Sequence, residues 1–275
     1  MAIRRRRSRG SVGIGLIAAW AGAVLALGVL VFAGIGLARL RVERAGIDEK
    51  TLCGTSEPSQ IIALLFDSSD QINDLQKIKT RQILDNLLYD IPKGTRVDVY
   101  MATAEAGQLA KPLFSRCNPA NASGDAGWSE NPQRQKELRQ RKFQKPLERA
   151  LKKALRANPR ETSPILETIA AASVQSFGRV NSAGKAHPGR YRMIIVSDFL
   201  QNSSLLTQYR AFSSVDDFSN TPGWISALPR LNDVAIKMVY INRANSIRFQ
   251  NNKHKEWWCE YFTRRGANSC DIEQL

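Results

Sequence analysis

Apolar and polar residues along this chain follow two periods, one typical of strands and one of helices. Two continuous apolar runs, residues 60–66 and 191–197, are typical of strands buried on both faces of a parallel sheet. Further strands are predicted over 96–101 and 234–241. Helices are predicted over 71–90, 133–156, 163–177 and 254–265, with a short helix between Pro222 and Pro229. Strands alternating with helices indicate an α/β fold with a doubly wound, mostly parallel sheet.

The chain between the second predicted strand and Ser163 departs from this alternation. Residues 103–130 are rich in Ala, Gly, Asn, Ser and Pro, and are expected to be irregular. The helix at 133–156 has an apolar stripe formed by Leu138, Phe143, Leu147, Leu151 and Leu155. Pro146 is expected to interrupt or kink this helix. We therefore treat residues from about 104 to 160 as a helical insertion into the domain.

The N-terminal region contains an uncharged stretch, residues 10–38, that is long enough for a membrane-spanning helix. About 20 helical residues already cross a bilayer core. Arginines at positions 4–7 and 9 precede the stretch, and positive charge beside a span stays on the cytoplasmic side. A cleaved signal peptide is the alternative, but its apolar part normally has only about 7–15 residues.

These features predict how the chain is organised. A basic cytoplasmic tail (1–10) precedes a single transmembrane helix (11–38), a polar tether (39–58) and an extracytoplasmic domain (59–275). The expected setting is a bacterial inner membrane, with the N-terminus in the cytoplasm and the main domain in the periplasm.

Four cysteines, Cys53, Cys117, Cys259 and Cys270, all follow the predicted span. An even number in an oxidising compartment favours disulfides. Cys259 and Cys270 are close enough to close a short loop, and Cys53 with Cys117 would tie the start of the domain to the second strand region. The sequence allows all three pairings, or four free thiols. With no Cys-x-x-Cys motif and only two histidines, both expected at the surface, a structural zinc site is disfavoured.

The formal net charge of +15 is concentrated in two regions. One is the N-terminal arginine cluster, and the other is 131–160, which has eleven basic and two acidic residues. The predicted basic surface consists of Arg139, Arg141, Lys142, Lys145, Arg149, Lys152 and Lys153. Anionic lipid or an acidic partner fits this surface better than nucleic acid, because only Phe143 interleaves the cations. The alternative is an ordinary solvated helix face.

Both buried apolar runs are followed by an acid. Asp67 begins the sequence Asp67-Ser68-Ser69-Asp70-Gln71, and Asp198 follows Ser197 after the second run. In an open parallel sheet, ligands bind at the edge formed by the carboxyl ends of the strands. We therefore expect the two carboxylates to meet at one edge of the sheet, with hydroxyl groups between them.

The first of these loops resembles the metal-contacting loop of von Willebrand factor A-like domains. That family has the pattern Asp-x-Ser-x-Ser after its first strand, and Asp67 and Ser69 match it. Gln71 stands where the second Ser is expected. A Gln side chain can also ligate a hard cation, but its greater length would shift the geometry of the site.

Two later segments resemble the other loops of the same family. Ser163, with Thr162 as the alternate candidate, resembles the hydroxyl residue of the second loop, and Asp198 resembles the acid of the third. The resemblance extends over about residues 58–267. It implies a von Willebrand A-like, Rossmann-like α/β domain.

The resemblance also implies a divalent-cation site that binds a partner protein. Hard cations prefer oxygen ligands, and Mg²⁺ keeps several waters with only one or two carboxylates. The expected ligands are Asp67, Ser69, Ser163 and Asp198, with Gln71 and Thr162 as weaker candidates. In the family, an open coordination position accepts an acidic residue of the partner. The chain is therefore expected to be a protein-binding or assembly module with Mg²⁺, or with Mn²⁺ or Ca²⁺, and not an enzyme.

Three other interpretations stay open. In a degenerate loop without metal, Asp67 would cap the next helix and Asp198 would bind backbone amides. A metal-dependent hydrolase resembling a phosphoesterase could use the same edge, although the sequence contains no nucleophile elbow of the Gly-x-Ser-x-Gly kind. The domain could also be a metal-free structural scaffold of a membrane complex.

Overall fold

The computed structural model describes residues 20, 24–35, 48, 50–54, 58, 60–67, 69, 72–102, 110–119, 131–156, 160–181, 190–210, 214–226 and 228–275. The chain forms two compact units, Met1–Ile47 and Asp48–Leu275. In the first unit, residues 24–35 are helical (α1) and exposed. Among the described residues, no helix combines the length and the apolar character that crossing a bilayer requires. The predicted tail at 1–10 and most of the predicted span at 11–38 lie outside the described residues.

The second unit alternates strands and helices. Its strands are β1 (Ile61–Phe66), β2 (Arg96–Met101), β3 (Phe114–Cys117), β4 (Tyr191–Ser197), β5 (Val234–Tyr240) and β6 (Ser269–Gln274). Its α-helices are α2 (Asp74–Tyr89), α3 (Pro132–Leu138), α4 (Lys145–Ala154), α5 (Ile165–Asn181), α6 (Val215–Ser219), α7 (Pro222–Ser226) and α8 (Asn252–Arg264). A π-helix, Arg139–Gln144, joins α3 to α4, and a 3₁₀ turn, Ala244–Ser246, precedes α8.

The strands form one six-stranded sheet in the order β3-β2-β1-β4-β5-β6. β3 is antiparallel to β2, and every other neighbouring pair is parallel. The α/β class and the mostly parallel sheet predicted from the sequence are therefore confirmed. The direction in which the strands are added reverses between β1 and β4, so these two strands flank the point at which open α/β sheets bind ligands.

Helices cover both faces of the sheet, which explains why β1 is continuously apolar and why β4 is apolar over residues 193–196. On one face, alternate residues of β1 such as Leu65 pack with α5 and α8. On the other face, residues such as Leu64 pack with α2 and α4. Trp258 of α8 and Phe143 of the π-helix are among the largest fully buried side chains of the two faces.

Two edge strands were missed by the sequence analysis. β3 lies within residues 103–130, which were expected to be irregular, and β6 follows the last predicted helix. β3 has only four residues and both strands are only partly buried, so neither has the apolar run that marks β1 and β4. Edge strands face solvent along one side, and their sequences therefore give a weak periodic signal.

The structure pairs the cysteines as Cys53–Cys117 and Cys259–Cys270. The first disulfide attaches the segment that precedes β1 to the end of β3. The backbone supports this attachment, because the Cys117 N–H donates to the Thr51 carbonyl at 2.8 Å. The second disulfide joins α8 to β6. Each bond thus holds one of the two edge strands against a neighbouring part of the unit.

The helical stretch predicted over 133–156 is present, and Pro146 changes its geometry. Pro146 stands in the first turn of α4, directly after the π-helix. Proline lacks an N–H and its ring clashes with a carbonyl four residues earlier, so a locally wider turn lets the helix continue. Phe143, Leu147 and Leu151 face the core as predicted, whereas Leu138 is 38% exposed.

Candidate functional site

The two strand-terminal acids lie next to each other along the backbone of the sheet. β1 and β4 are parallel neighbours in which Phe66 pairs with Val196. The pairing continues one residue further, because the Asp67 N–H donates to the Val196 carbonyl at 2.9 Å. Asp67 and the Ser197–Asp198 pair therefore share the carboxyl edge of the sheet, as expected from the sequence.

Three hydrogen-bond donors converge on the Asp67 carboxylate. Its Oδ2 accepts from the Ser163 hydroxyl at 2.8 Å and from the Ser197 hydroxyl at 3.0 Å. Its Oδ1 accepts from the Ser69 N–H at 3.0 Å. Ser163 belongs to a distant part of the chain, so the predicted meeting of the first and second loops occurs. Ser197 was not among the predicted site residues, although its position just before Asp198 was visible in the sequence.

Ser163 is held in place by the loop that follows β4. Its N–H and carbonyl exchange hydrogen bonds with the backbone of Asn202, at 2.8 and 3.0 Å. The hydroxyl binds Asp67 and does not cap α5, although Ser is a common N-cap residue. Gln201 Oε1 instead accepts from the Leu166 N–H at the start of α5. Thr162, the alternate candidate, is exposed. Gln71 lies outside the described residues, as do Ser68 and Asp70.

Asp198 forms a salt bridge with Arg243. Its Oδ2 accepts from the Arg243 Nε at 3.1 Å, and its Oδ1 accepts from the Leu200 N–H at 2.9 Å. The side chains of Asp198 and Arg243 are 2% and 14% exposed. Burial raises the pKa of Asp198 to about 7; the negative charge of Asp67 adds to the rise, and Arg243 opposes it. Sequence reasoning missed Arg243, whose only signal is its place just after a predicted strand.

Gln250 fixes the position of Arg243. Its buried amide nitrogen donates to the carbonyls of Asp198 and Ile241, at 2.9 and 2.8 Å. Its Oε1 accepts from the Arg243 N–H at 2.6 Å. One side chain therefore joins the ends of β4 and β5 and sets the backbone from which the guanidinium reaches Asp198.

The residue after Asp198 has an unusual backbone conformation. Phe199 has a φ of 60°, a value that bulky residues rarely adopt. Its ring stacks on Tyr240 at 5.6 Å and meets Trp258 edge-on at 5.4 Å. Its N–H donates to the Ser197 hydroxyl, and its carbonyl accepts from the Trp258 Nε1 at 2.9 Å. Such strain persists only where the surroundings over-determine it, so the core directly supports the shape of the edge loop.

His254 is completely buried, contrary to the expectation that both histidines lie at the surface. Its Nδ1 hydrogen-bonds the Tyr240 hydroxyl at 2.7 Å, and its Nε2 lies 3.1 Å from Gln208 Oε1. Burial lowers the pKa of His254 to about 4, so the ring is neutral near pH 7. His254 thus supports the core beneath the edge loop, and His187 lies outside the described residues.

Every carboxylate oxygen of Asp67 and Asp198 already accepts a hydrogen bond. The Asp198 carboxylate is paired with a guanidinium, which repels a second cation. In the described ranges, no group of three or more His, Cys, Asp and Glu side chains could hold a metal ion. The alternative role of Asp67 as a helix cap is not seen either, because Asn73 caps α2. The predicted role of Asp198 in binding a backbone amide is present.

The predicted basic surface is present with one correction. Arg141, Lys142, Lys145, Arg149, Lys152 and Lys153 are exposed. Arg139 is instead buried beneath the helix, where it donates to the Asn118 side chain at 3.3 Å and to the Tyr89 carbonyl at 3.1 Å. Burial lowers the pKa of Arg139. Its side chain therefore ties the π-helix to the end of α2 and to the residue after β3, and does not contribute to the charged surface.

Comparison with known proteins gives no assignment. No protein-family model matches the chain, and no curated protein matches it at a significant level.

Proposed function

We propose that this chain is a membrane-anchored, extracytoplasmic protein-binding module of the von Willebrand A-like type. The observation that carries the proposal is the cluster of Asp67, Ser163 and Ser197 at the point where the strand order reverses. The strand order agrees with the 3-2-1-4-5-6 order of doubly wound, Rossmann-like folds, apart from the antiparallel β3. The partner binds at this edge, where three segments of the chain converge.

Two features support the proposed membrane setting. The uncharged stretch at 10–38 follows an arginine cluster, which favours an anchor with a cytoplasmic N-terminus. Two disulfides in the second unit favour an oxidising compartment such as the periplasm, because cytosolic thiols are kept reduced.

The proposed edge works without a bound metal. Arg243 pairs with the Asp198 carboxylate, and the Asp67 carboxylate accepts hydrogen bonds from two hydroxyl groups. Mg²⁺, the ion implied by the family resemblance, is therefore a prediction to be tested and not a requirement of the proposal.

Titration of the detergent-solubilised full chain with Mg²⁺, Mn²⁺ and Ca²⁺ is expected to give no saturable heat. Binding would require the cation to displace hydrogen bonds from Asp67 and to approach the guanidinium of Arg243. A saturable heat that disappears in Asp67→Ala would contradict the metal-free interpretation. The matched control is Asp85→Ala, which removes an exposed carboxylate on α2.

A hydrolase is the weaker candidate. A carboxyl with a pKa raised to about 7 is typical of acid–base catalysts. Asp198 is nevertheless almost completely buried beside Arg243, where a substrate has no direct access to its oxygens. Phosphoesterase activity that is lost in Asp67→Asn would favour this candidate over the binding module.

Site-specific photocrosslinking tests the binding function. A photoreactive amino acid at Thr162, which is exposed and adjacent to Ser163, is expected to give a discrete crosslinked product in native membranes. Adding Asp67→Ala should remove most of that product, because Ser163 and Ser197 lose their common acceptor. The same probe at Asp85 is the positional control.

The proposal fails if Asp67→Ala leaves the Thr162 product unchanged, or if the probe at Asp85 gives the same product. Intact disulfides and an unchanged level of the variant in the membrane show that a lost crosslink does not reflect misfolding.

A further inference from the structure

We propose that the exposed basic face of the α3–α4 stretch binds the anionic phospholipid surface of the membrane that anchors the chain. The face consists of Arg141, Lys142, Lys145, Arg149, Lys152 and Lys153. The inference takes only the membrane anchor from the proposed function. It does not depend on the binding edge at Asp67.

The six cations form one side of an amphipathic helical stretch. Lys145, Arg149, Lys152 and Lys153 recur at helical spacing on the exposed side of α4 and its neighbouring turns. The opposite side, with Phe143, Leu147 and Leu151, is buried against the sheet. The apolar side is thus already used by the core, so the stretch presents charge and not apolar surface to a partner.

Among the described residues, none of the six cations of this face has an acidic partner. The salt bridges between these residues involve other cations. The stretch also contains two exposed acids, Glu137 and Glu148. They are outnumbered by the six cations, so the net charge of the stretch is strongly positive. A surface of this sign attracts a partner that presents many negative charges.

The chain enters the second unit beside this face. The disulfide Cys53–Cys117 attaches the first residues of the unit to β3. On β3, Arg116 donates to the Lys142 carbonyl at 2.6 Å, and Phe114 meets Phe143 edge-on at 5.5 Å. The point at which the chain arrives from the N-terminal region is therefore linked, through β3, to the start of the basic face.

The predicted anchor keeps a lipid surface within reach. The uncharged stretch ends at residue 38 and the second unit begins at Asp48. Ten extended residues reach at most about 35 Å. Each basic residue near an anionic membrane favours binding by a factor of about five, and tethering raises the effective concentration further. Lipid is favoured over nucleic acid because Phe143, the only aromatic residue in 131–156, is buried on the opposite side and cannot stack on bases.

Lysine labelling of the full chain in lipid nanodiscs tests the inference. Nanodiscs contain either phosphatidylcholine alone or equal parts of phosphatidylcholine and phosphatidylglycerol. Modification of Lys142, Lys145, Lys152 and Lys153 by an amine-reactive reagent is read by mass spectrometry. We expect several-fold slower labelling with phosphatidylglycerol at about 0.1 M salt and no difference at about 1 M, where the Debye length falls to about 3 Å. Lys253, on α8 at the opposite face of the sheet, is the internal control.

Charge reversal provides the matched variant. Lys145→Glu, Arg149→Glu and Lys152→Glu together should remove the lipid-dependent protection of Lys142 and Lys153, whereas Lys253→Glu should not. Equal labelling in both lipids overturns the inference. So does protection that occurs only in native membranes, because it identifies an acidic protein as the partner.

The outcomes separate this inference from the proposed function. Full chain that inserts into both nanodiscs but shows no lipid-dependent protection removes the inference and leaves the binding edge untouched. If the Thr162 probe gives no crosslinked product but the lysines remain protected, the proposed function fails and the lipid inference stands.

Discussion

Replacing Arg243 with Met is expected to lower the free energy of unfolding by about 3–5 kcal/mol at about pH 8. The substitution keeps an unbranched side chain but removes the guanidinium from the buried Asp198 carboxylate. At this pH the carboxylate is ionised in the wild type, so the variant must bury an unpaired charge or take up a proton. Urea unfolding of the full chain, followed by tryptophan fluorescence with the disulfides intact, measures the difference.

The same substitution should cost much less at about pH 5, roughly 1 kcal/mol, which is the net value of a hydrogen bond. The pKa of Asp198 is raised in the fold to about 7. A raised carboxyl pKa contributes stability that is fully present below the unfolded pKa and is lost as the pH rises through the folded value. Asp198 is therefore protonated at pH 5 in both proteins and needs no cation.

A double substitution provides the control for Arg243. Adding Asp198→Asn to Arg243→Met removes the buried charge and should recover most of the loss at about pH 8. An equal cost of Arg243→Met at both pH values would contradict the ion pair as the cause. It would indicate that Arg243 matters through packing alone.

Replacing Trp258 with Ala is expected to destabilise the domain by about 3–5 kcal/mol. Trp258 is fully buried, and its ring packs against Phe199, Trp257, Tyr261 and Phe262. The substitution leaves a large cavity next to the edge loop. Because Phe199 adopts a positive φ that its surroundings enforce, we also expect the loop after Asp198 to exchange its amide hydrogens faster.

Trp258→Phe separates volume from hydrogen bonding. Phe retains most of the ring contacts but leaves the Phe199 carbonyl without the indole donor, which should cost about 1–3 kcal/mol. If Trp258→Phe lowers the free energy of unfolding as much as Trp258→Ala does, the hydrogen bond of the indole N–H contributes more to stability than the packing of the ring. Unchanged hydrogen exchange at Phe199 and Leu200 in the Ala variant would show that the loop does not depend on the core in this way.

The parts of the fold that sequence could predict are those with two buried faces. β1 and residues 193–196 of β4 are apolar because helices cover both sides, and an acid that follows such a run lies at the carboxyl edge. Asp67 and Asp198 were therefore predictable as neighbours. β3 and β6 were not, because an edge strand needs no apolar run, and its pairing depends on the rest of the sheet.

The hydrogen-bond and salt-bridge partners of the predicted site residues could not be predicted from the sequence. Arg243 lies 45 positions after Asp198, and its role depends on Gln250 turning the loop after β5. Ser163 has the sequence of an N-cap, yet a side chain from another loop binds the helix start and its own hydroxyl binds Asp67. His254 is polar in isolation and is buried only because Tyr240 and Gln208 satisfy both ring nitrogens. In each case a tertiary contact overrides the local preference.

The two outer strands bear on whether copies of this chain can associate with one another. β3 has four residues, and the Thr51 carbonyl already binds the outward N–H of Cys117. β6 carries Asp271 and Glu273, both of which form salt bridges with Lys237 of β5, so this edge is charged. Short or charged edges discourage the pairing of sheets that leads to aggregation. Crowding of many copies should therefore not join them into a continuous sheet.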